Sequence, residues 1–172
     1  MLKPQDTLLL LKHWSMHRSD QCLSMRDLQD SIGISASEVS KGAKRLQAAR
    51  LLVRHDKGLF AEQNALLEWL SYGIRYAYSP KKSGYGRGMP TAWNCHLVKS
   101  DILPPSPAMI WQQARGEVEG VFVEPIYHSV LLAASNDPLL YQILALVDAV
   151  RLGKPRELTI ARELLKKLIK GN

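Results

Sequence analysis

The chain has 172 residues, 46% of them hydrophobic, and 23 Lys/Arg against 16 Asp/Glu give it a net charge of +7, which favours an acidic partner. That length holds one good core or two small ones, and no run approaches the roughly 18 to 20 apolar residues of a membrane span. Two cysteines, Cys22 and Cys95, are too few for a disulfide framework, and Met1-Leu-Lys-Pro4 leads into a helical pattern rather than a secretory signal, so the expectation is a cytoplasmic protein with reduced thiols and no membrane partner.

The first helix is predicted to open at Lys3-Pro-Gln-Asp6, with Leu8 to Leu11 and Trp14 forming a wide buried face. His13 and His17 stand one turn apart with Cys22 beyond them, a spacing that chelates metals. Structural zinc normally shows four closely spaced ligands, and nothing here completes the set except the remote Cys95-His96 pair, so no metal or other cofactor is expected. Met25 to Ile32 reads as a short helix, with Ser24 as its cap and Asp27 in the positive first turn; Gly33 then ends it and Ile34 plugs the turn. Ser35-Ala-Ser-Glu38 fits a capping box that opens a further helix, whose apolar face is Val39, Ala43, Leu46 and Ala49.

The outer face of that helix carries Ser37, Ser40, Lys41, Lys44 and Arg45. Short serines let a helix sink into a major groove and bond to base edges, while lysine and arginine meet phosphates; the same composition also describes an ordinary solvated face. Two apolar runs within Leu51 to Ala61 flank His55-Asp-Lys-Gly58, the pattern of a compact hairpin whose tip presents Arg54, His55 and Lys57. From Ser35 to Phe60, six Lys/Arg stand against two acids, which favours a polyanion through counterion release.

The run Leu28 to Val53, with Ile32-Gly-Ile-Ser-Ala-Ser-Glu-Val39 and Lys44-Arg-Leu-Gln-Ala-Ala-Arg-Leu-Leu-Val53, resembles the winged helix-turn-helix domains of bacterial transcriptional regulators, most nearly the MarR-like group. The resemblance implies a support helix at Met25 to Ile32, a recognition helix at Ala36 to Ala49 and a wing tip at Arg54 to Lys57. It departs at Arg50, where such domains usually have glycine before the hydrophobic pair that opens the wing, so this helix end is expected to differ.

Asn64 to Tyr72 is predicted as a helix capped by Asn64 and stopped by Gly73, with Ile74 to Tyr78 alternating like a strand. Ser79 to Pro90 is rich in turn formers and holds Lys81, Lys82 and Arg87 without an acid, together with Tyr85, so it reads as a basic loop serving either as a second DNA arm or as a mobile linker. It contains no phosphate-gripping Gly-Lys-Ser/Thr. The prolines 104, 105 and 107 point to irregular backbone around Trp93 and Trp111.

Glu117 to Glu124 alternates enough for a strand, pairing with Ile74 to Tyr78, and Tyr127 to Ser135 fits a short helix. Pro138 to Leu152 is apolar most of the way round, and after Gly153-Lys-Pro155 a last amphipathic helix carries Leu158, Ala161, Leu164, Leu165, Leu168 and Ile169 on one side. These helices either close over the body within one chain or pack against a second copy, and the surplus apolar surface favours a homodimer. Charge is segregated along the chain: residues 101–150 carry one base and six acids, and 151–172 carry seven bases and two acids.

Together these readings give a mainly α fold with a small β-wing (α+β): residues 1–78 a winged helix-turn-helix, 79–116 a basic loop and linker, 117–172 a helical dimerisation body. The expected function is a sequence-specific double-stranded DNA-binding regulator, a dimeric repressor acting near its own promoter, with Ser37, Ser40, Lys41 and Lys44 in the groove and Arg45, Arg54, His55 and Lys57 on phosphates. A small-molecule effector is accommodated if Trp69, Tyr72, Tyr76 and Trp93 line a pocket, although aromatics are more often core. The alternative is a protein-interaction adaptor, antitoxin-like, that binds its partner through the C-terminal half. Catalysis is not expected: no nucleophile stands beside a base, and Cys95 and His96, adjacent in sequence, point apart on a strand.

Overall fold

The computed structural model describes residues 1–171 and is α+β. In chain order its elements are α1 (Pro4–Arg18), α2 (Met25–Ile32), α3 (Ala36–Ala48), β1 (Leu52–His55), β2 (Gly58–Ala61), α4 (Gln63–Glu68), a π-helical turn (Trp69–Gly73), α5 (Ile74–Ala77), β3 (Lys82–Pro90), a 3-10 turn (Ala92–Asn94), β4 (Ala108–Gln112), β5 (Val118–Val123), α6 (Val130–Ser135), α7 (Pro138–Leu152) and α8 (Pro155–Lys170). The chain forms two compact units, one of Met1–Leu66 with Ile126–Leu140, the other of Leu67–Pro125 with the residues from Tyr141 onward. Each unit is thus assembled from two separate stretches of sequence.

In the first unit α1 is the central strut. The Asp6 carboxylate accepts the Lys3 N–H at 2.8 Å and so caps the first turn, and Leu8, Leu9, Leu10, Leu11 and Trp14 are all buried. Deeper along the helix, Lys12 Nζ (2.9 Å) and Ser15 Oγ (2.6 Å) donate to the Asp137 carboxylate, which itself accepts the Leu140 N–H at 2.9 Å and caps the start of α7. Burial alone pushes the Asp137 carboxyl up; these bonds outweigh it and hold the group below its ordinary range.

Helix α2 starts as expected, with Ser24 Oγ accepting the Asp27 N–H at 3.1 Å, and ends at Gly33, whose φ of 63° is the left-handed conformation glycine adopts without cost. Helix α6 seals that corner: Ser129 Oγ donates to the Ile32 carbonyl, and a Cβ on Gly33 would lie 2.9 Å from the Ser129 Cβ. The chain leaves α3 through Arg50 at φ 59°, so arginine adopts the left-handed turn expected of glycine and the helix still stops at Ala48. β1 and β2 pair antiparallel, from Leu52 opposite Ala61 to His55 opposite Gly58, around the Asp56–Lys57 turn.

The second unit departs most from expectation. Gly73 does not stop the helix, and Ile74 to Ala77 is helical rather than a strand. The stretch expected to be a basic loop is the nine-residue strand β3, which pairs antiparallel with both β4 and β5; β4 and β5 pair parallel, so the three strands close on one another. Such closure demands very tight backbone approach: a Cβ on Gly88 would sit 2.0 Å from the Trp111 carbonyl oxygen, and one on Gly120 2.1 Å from that of Ala108. The glycines that signal a loop are here what lets the strands meet. β4 lies in the stretch expected to be irregular, and β5 pairs with β3 and β4 rather than with Ile74 to Tyr78.

The polar side chains of α7 in this unit pin its surroundings. Asp148, fully enclosed, accepts from Thr91 Oγ1 (2.8 Å), Trp111 Nε1 (2.7 Å) and Arg151 (2.6 Å), and Arg151 also donates to the carbonyls of Tyr78 and Glu124. Residues Ile143 to Val150 are all buried within the single chain, which removes the surplus apolar surface that favoured a dimer through this helix.

Candidate nucleic-acid interface

Helix α3 is placed by its contact with α1. Its buried residues are Val39, Gly42 and Leu46; Ala49, expected on the core face, is exposed, and Gly42 takes that side instead. The reason is steric. A Cβ on Gly42 would lie 2.8 Å from Asp6 Oδ1 and 3.1 Å from Leu9 Cδ2, so only glycine lets α3 come this close to α1.

That approach brings Arg45 onto Asp6 in a two-pronged pair, Nε to Oδ2 at 2.7 Å and a terminal nitrogen to Oδ1 at 2.6 Å, with Asp6 only 1% exposed. Hydrogen bonding to Asp6 accordingly raises the already high Arg45 pKa. Arg45, expected to hold phosphate, is committed to the interior of its own unit.

The capping box is half formed. Ser35 Oγ accepts the Glu38 N–H at 3.4 Å, but the Glu38 carboxylate turns outward along α1 and α3, accepting from Gln5 Nε2 at 3.1 Å and lying 3.9, 3.7 and 3.7 Å from Lys3, Lys41 and Arg45. The Gln5 bond leads in lowering the Glu38 pKa, with the three cations adding to it. Part of the charge of Lys41 is therefore answered within the chain.

Ser37, Ser40, Lys41 and Lys44 are all exposed on α3, on the side away from its buried residues. At the β1–β2 tip Arg54, His55, Asp56 and Lys57 are also exposed. The hairpin is braced from beneath: Phe60 meets the His55 ring edge-on at 5.4 Å and the His17 ring at 4.8 Å. Beside it lies an open cleft of about 580 Å³ whose lining includes His17, Val53, Lys57, Phe60 and Asn64. Sequence reasoning missed Asp6 as the partner of Arg45. The one signal for it was a glycine in the middle of an otherwise amphipathic helix.

No family model matches this chain, and no curated protein or solved structure matches it.

Within the second unit Lys81, Lys82 and Arg87 are exposed, but on a strand and its lead-in, and Arg87 faces Glu119 of β5 across the ladder at 3.6 Å. The basic segment is thus not free of acids once folded. The aromatics expected to line an effector pocket do not converge: Trp93 is buried, Trp69 packs over Gly73 and edge-on to Tyr78, and Tyr72 and Tyr76 face solvent. His13, His17 and Cys22 do not gather either, and among the described residues no three metal-ligating side chains cluster. Desolvation lowers the His13 pKa, against its hydrogen bond to the Leu59 backbone, while His17 and Cys22 lie at the surface. Cys95 is buried, and that burial pushes its thiol up, away from the reactive thiolate. Among the described residues no helix is long and apolar enough to cross a membrane.

Proposed function

We propose that the first unit is a winged helix-turn-helix that binds double-stranded DNA, and that the protein is a sequence-specific transcriptional regulator, a dimeric repressor acting near its own promoter. The observation that carries this reading is the surface of α3: Ser37, Ser40, Lys41 and Lys44 are presented to solvent while the opposite face is locked onto α1, and a cationic hairpin tip follows directly in the chain. The order helix, helix, tight glycine turn, helix, hairpin supports it, as does the resemblance of Leu28 to Val53 to MarR-like domains.

On this reading the serines of α3 read base edges and Lys44 sits at the groove wall, while Arg54 and Lys57 neutralise phosphates beside it. Arg45 acts from behind, fixing the angle of α3 through Asp6. Two copies related by a twofold axis, meeting through a face other than the buried α7, place their α3 helices roughly 34 to 36 Å apart, one turn of duplex, and so match a palindromic operator.

Substitution separates the two kinds of contact. Arg54→Ala or Lys57→Ala weakens binding to every duplex alike and lowers the slope of log affinity against log salt by about one for each phosphate lost. Ser37→Ala and Ser40→Ala change which duplexes are preferred and leave that slope intact. Salt slopes that do not respond to either hairpin substitution contradict the assignment.

A further inference from the structure

The second unit carries a surface that the duplex-binding reading does not use. Tyr72 and Tyr76 are 61% and 77% exposed, among the most exposed large apolar side chains of the molecule, and they stand near each other on the π turn and α5. Each already carries a cation: the Arg162 guanidinium lies over the Tyr72 ring at 4.5 Å, and that of Arg75 over the Tyr76 ring at 5.6 Å.

The arrangement is built rather than incidental. Arg162 Nε donates to the Ser71 carbonyl at 2.9 Å, which holds α8 against the π turn. The turn itself exists where Trp69 folds back over Gly73, whose Cβ would fall 2.5 Å from the Trp69 ring. Within this turn Tyr72 lies beside α8, with the Arg162 guanidinium over its ring.

The charge around the rings is mainly positive. Residues 68–77 contain Arg75 and one acid, the exposed Glu68 four residues before Tyr72, and α8 adds Arg162 and, one turn on, the exposed Lys166. Of the two acids on α8, Glu157 is spent on capping its own helix through the Lys154 N–H at 2.9 Å, leaving Glu163 as the one exposed acid. Exposed aromatic rings interleaved with arginine and lysine are what an unpaired strand requires: π faces for its bases, and cations for the phosphates between them.

We infer that the Tyr72–Tyr76–Arg75–Arg162 surface of the second unit binds single-stranded nucleic acid, stacking bases on the two tyrosines and holding phosphates with the arginines. This goes beyond the duplex reading and does not rest on it, because every residue involved lies in the other unit.

The test uses the full chain and fluorescein-labelled dT12 and U12, titrated at low salt and followed by anisotropy. Wild type binds at least one of the two, and the tighter of them identifies DNA or RNA as the source. Tyr72→Ala/Tyr76→Ala weakens that binding tenfold or more, whereas Tyr72→Phe/Tyr76→Phe, which keeps the rings, stays within about twofold of wild type. A Lys44→Ala/Arg54→Ala/Lys57→Ala variant retains single-strand binding even where its duplex binding is lost, which keeps the two interfaces separately testable. Absence of binding to both oligomers overturns the inference. So does an alanine pair that binds like wild type, including one that instead changes the solution mass and so marks the tyrosines as a contact between copies.

Discussion

Arg45 shows most sharply how a residue's type and its task can part. By composition and helical position it belongs with the phosphate-binding cations, yet both its prongs are bonded to a carboxylate 1% exposed on another helix. Arg45→Ala is therefore expected to cost roughly 2 to 4 kcal/mol of stability in a denaturant titration, because it strands the buried Asp6. If Arg45 were a phosphate contact instead, the salt slope would fall and the denaturation midpoint would stay. Gly42 is the companion case. A glycine-to-alanine change inside a helix ordinarily stabilises by about 1 kcal/mol, but here the added methyl meets Asp6 and Leu9, and Gly42→Ala should lower stability by about 1 to 3 kcal/mol. The serines and lysines of α3 were legible in the sequence because helical periodicity alone decides which way they face. The Arg45–Asp6 pair was not, since it depends on two helices 39 residues apart in sequence meeting closely.

At the level of elements, those with strong local signals were readable and those fixed by distant packing were not. Helices α1, α2, α3, α7 and α8 begin where proline, serine or a capping carboxylate says they should. The β3 strand was hidden because Ser79 to Pro90 has the composition of a loop, and only pairing with β4 and β5 explains why its glycines are needed. The cap of α4 was misread by two residues: Glu62, not Asn64, accepts the N–H groups of Asn64 and Ala65. The end of α3 gives a prediction at this scale. Arg50 holds a left-handed φ of 59° on the surface, so Arg50→Gly should raise stability by about 0.5 to 1 kcal/mol, read as a higher unfolding temperature. A second concerns the junction of α1 with α7. Because Asp137 has a folded pKa below its ordinary value of 3.8, the stability it contributes is fully present above about pH 4 and is lost as pH falls through the depressed value. Urea titrations from pH 7 to pH 2 should show that loss, and Asp137→Asn should flatten it while lowering stability at neutral pH.

At the scale of the whole molecule, two compact units are each made from two separate stretches of chain, and the apolar helix α7 is buried without a second copy. Segregated charge was legible from the sequence, and it survives folding as an exposed set on α3 and the hairpin tip in one unit, while in the other the half-buried Arg75 and Arg162 flank the exposed tyrosines. The central claim concerns the first of these. Binding of the full chain to the duplex upstream of its own reading frame, measured against a random duplex of equal length at two salt concentrations, tests it most directly. The account predicts binding at least 10³-fold tighter to the upstream duplex, with both affinities falling steeply as salt rises. Equal affinity for the two duplexes, or binding indifferent to salt, would contradict it.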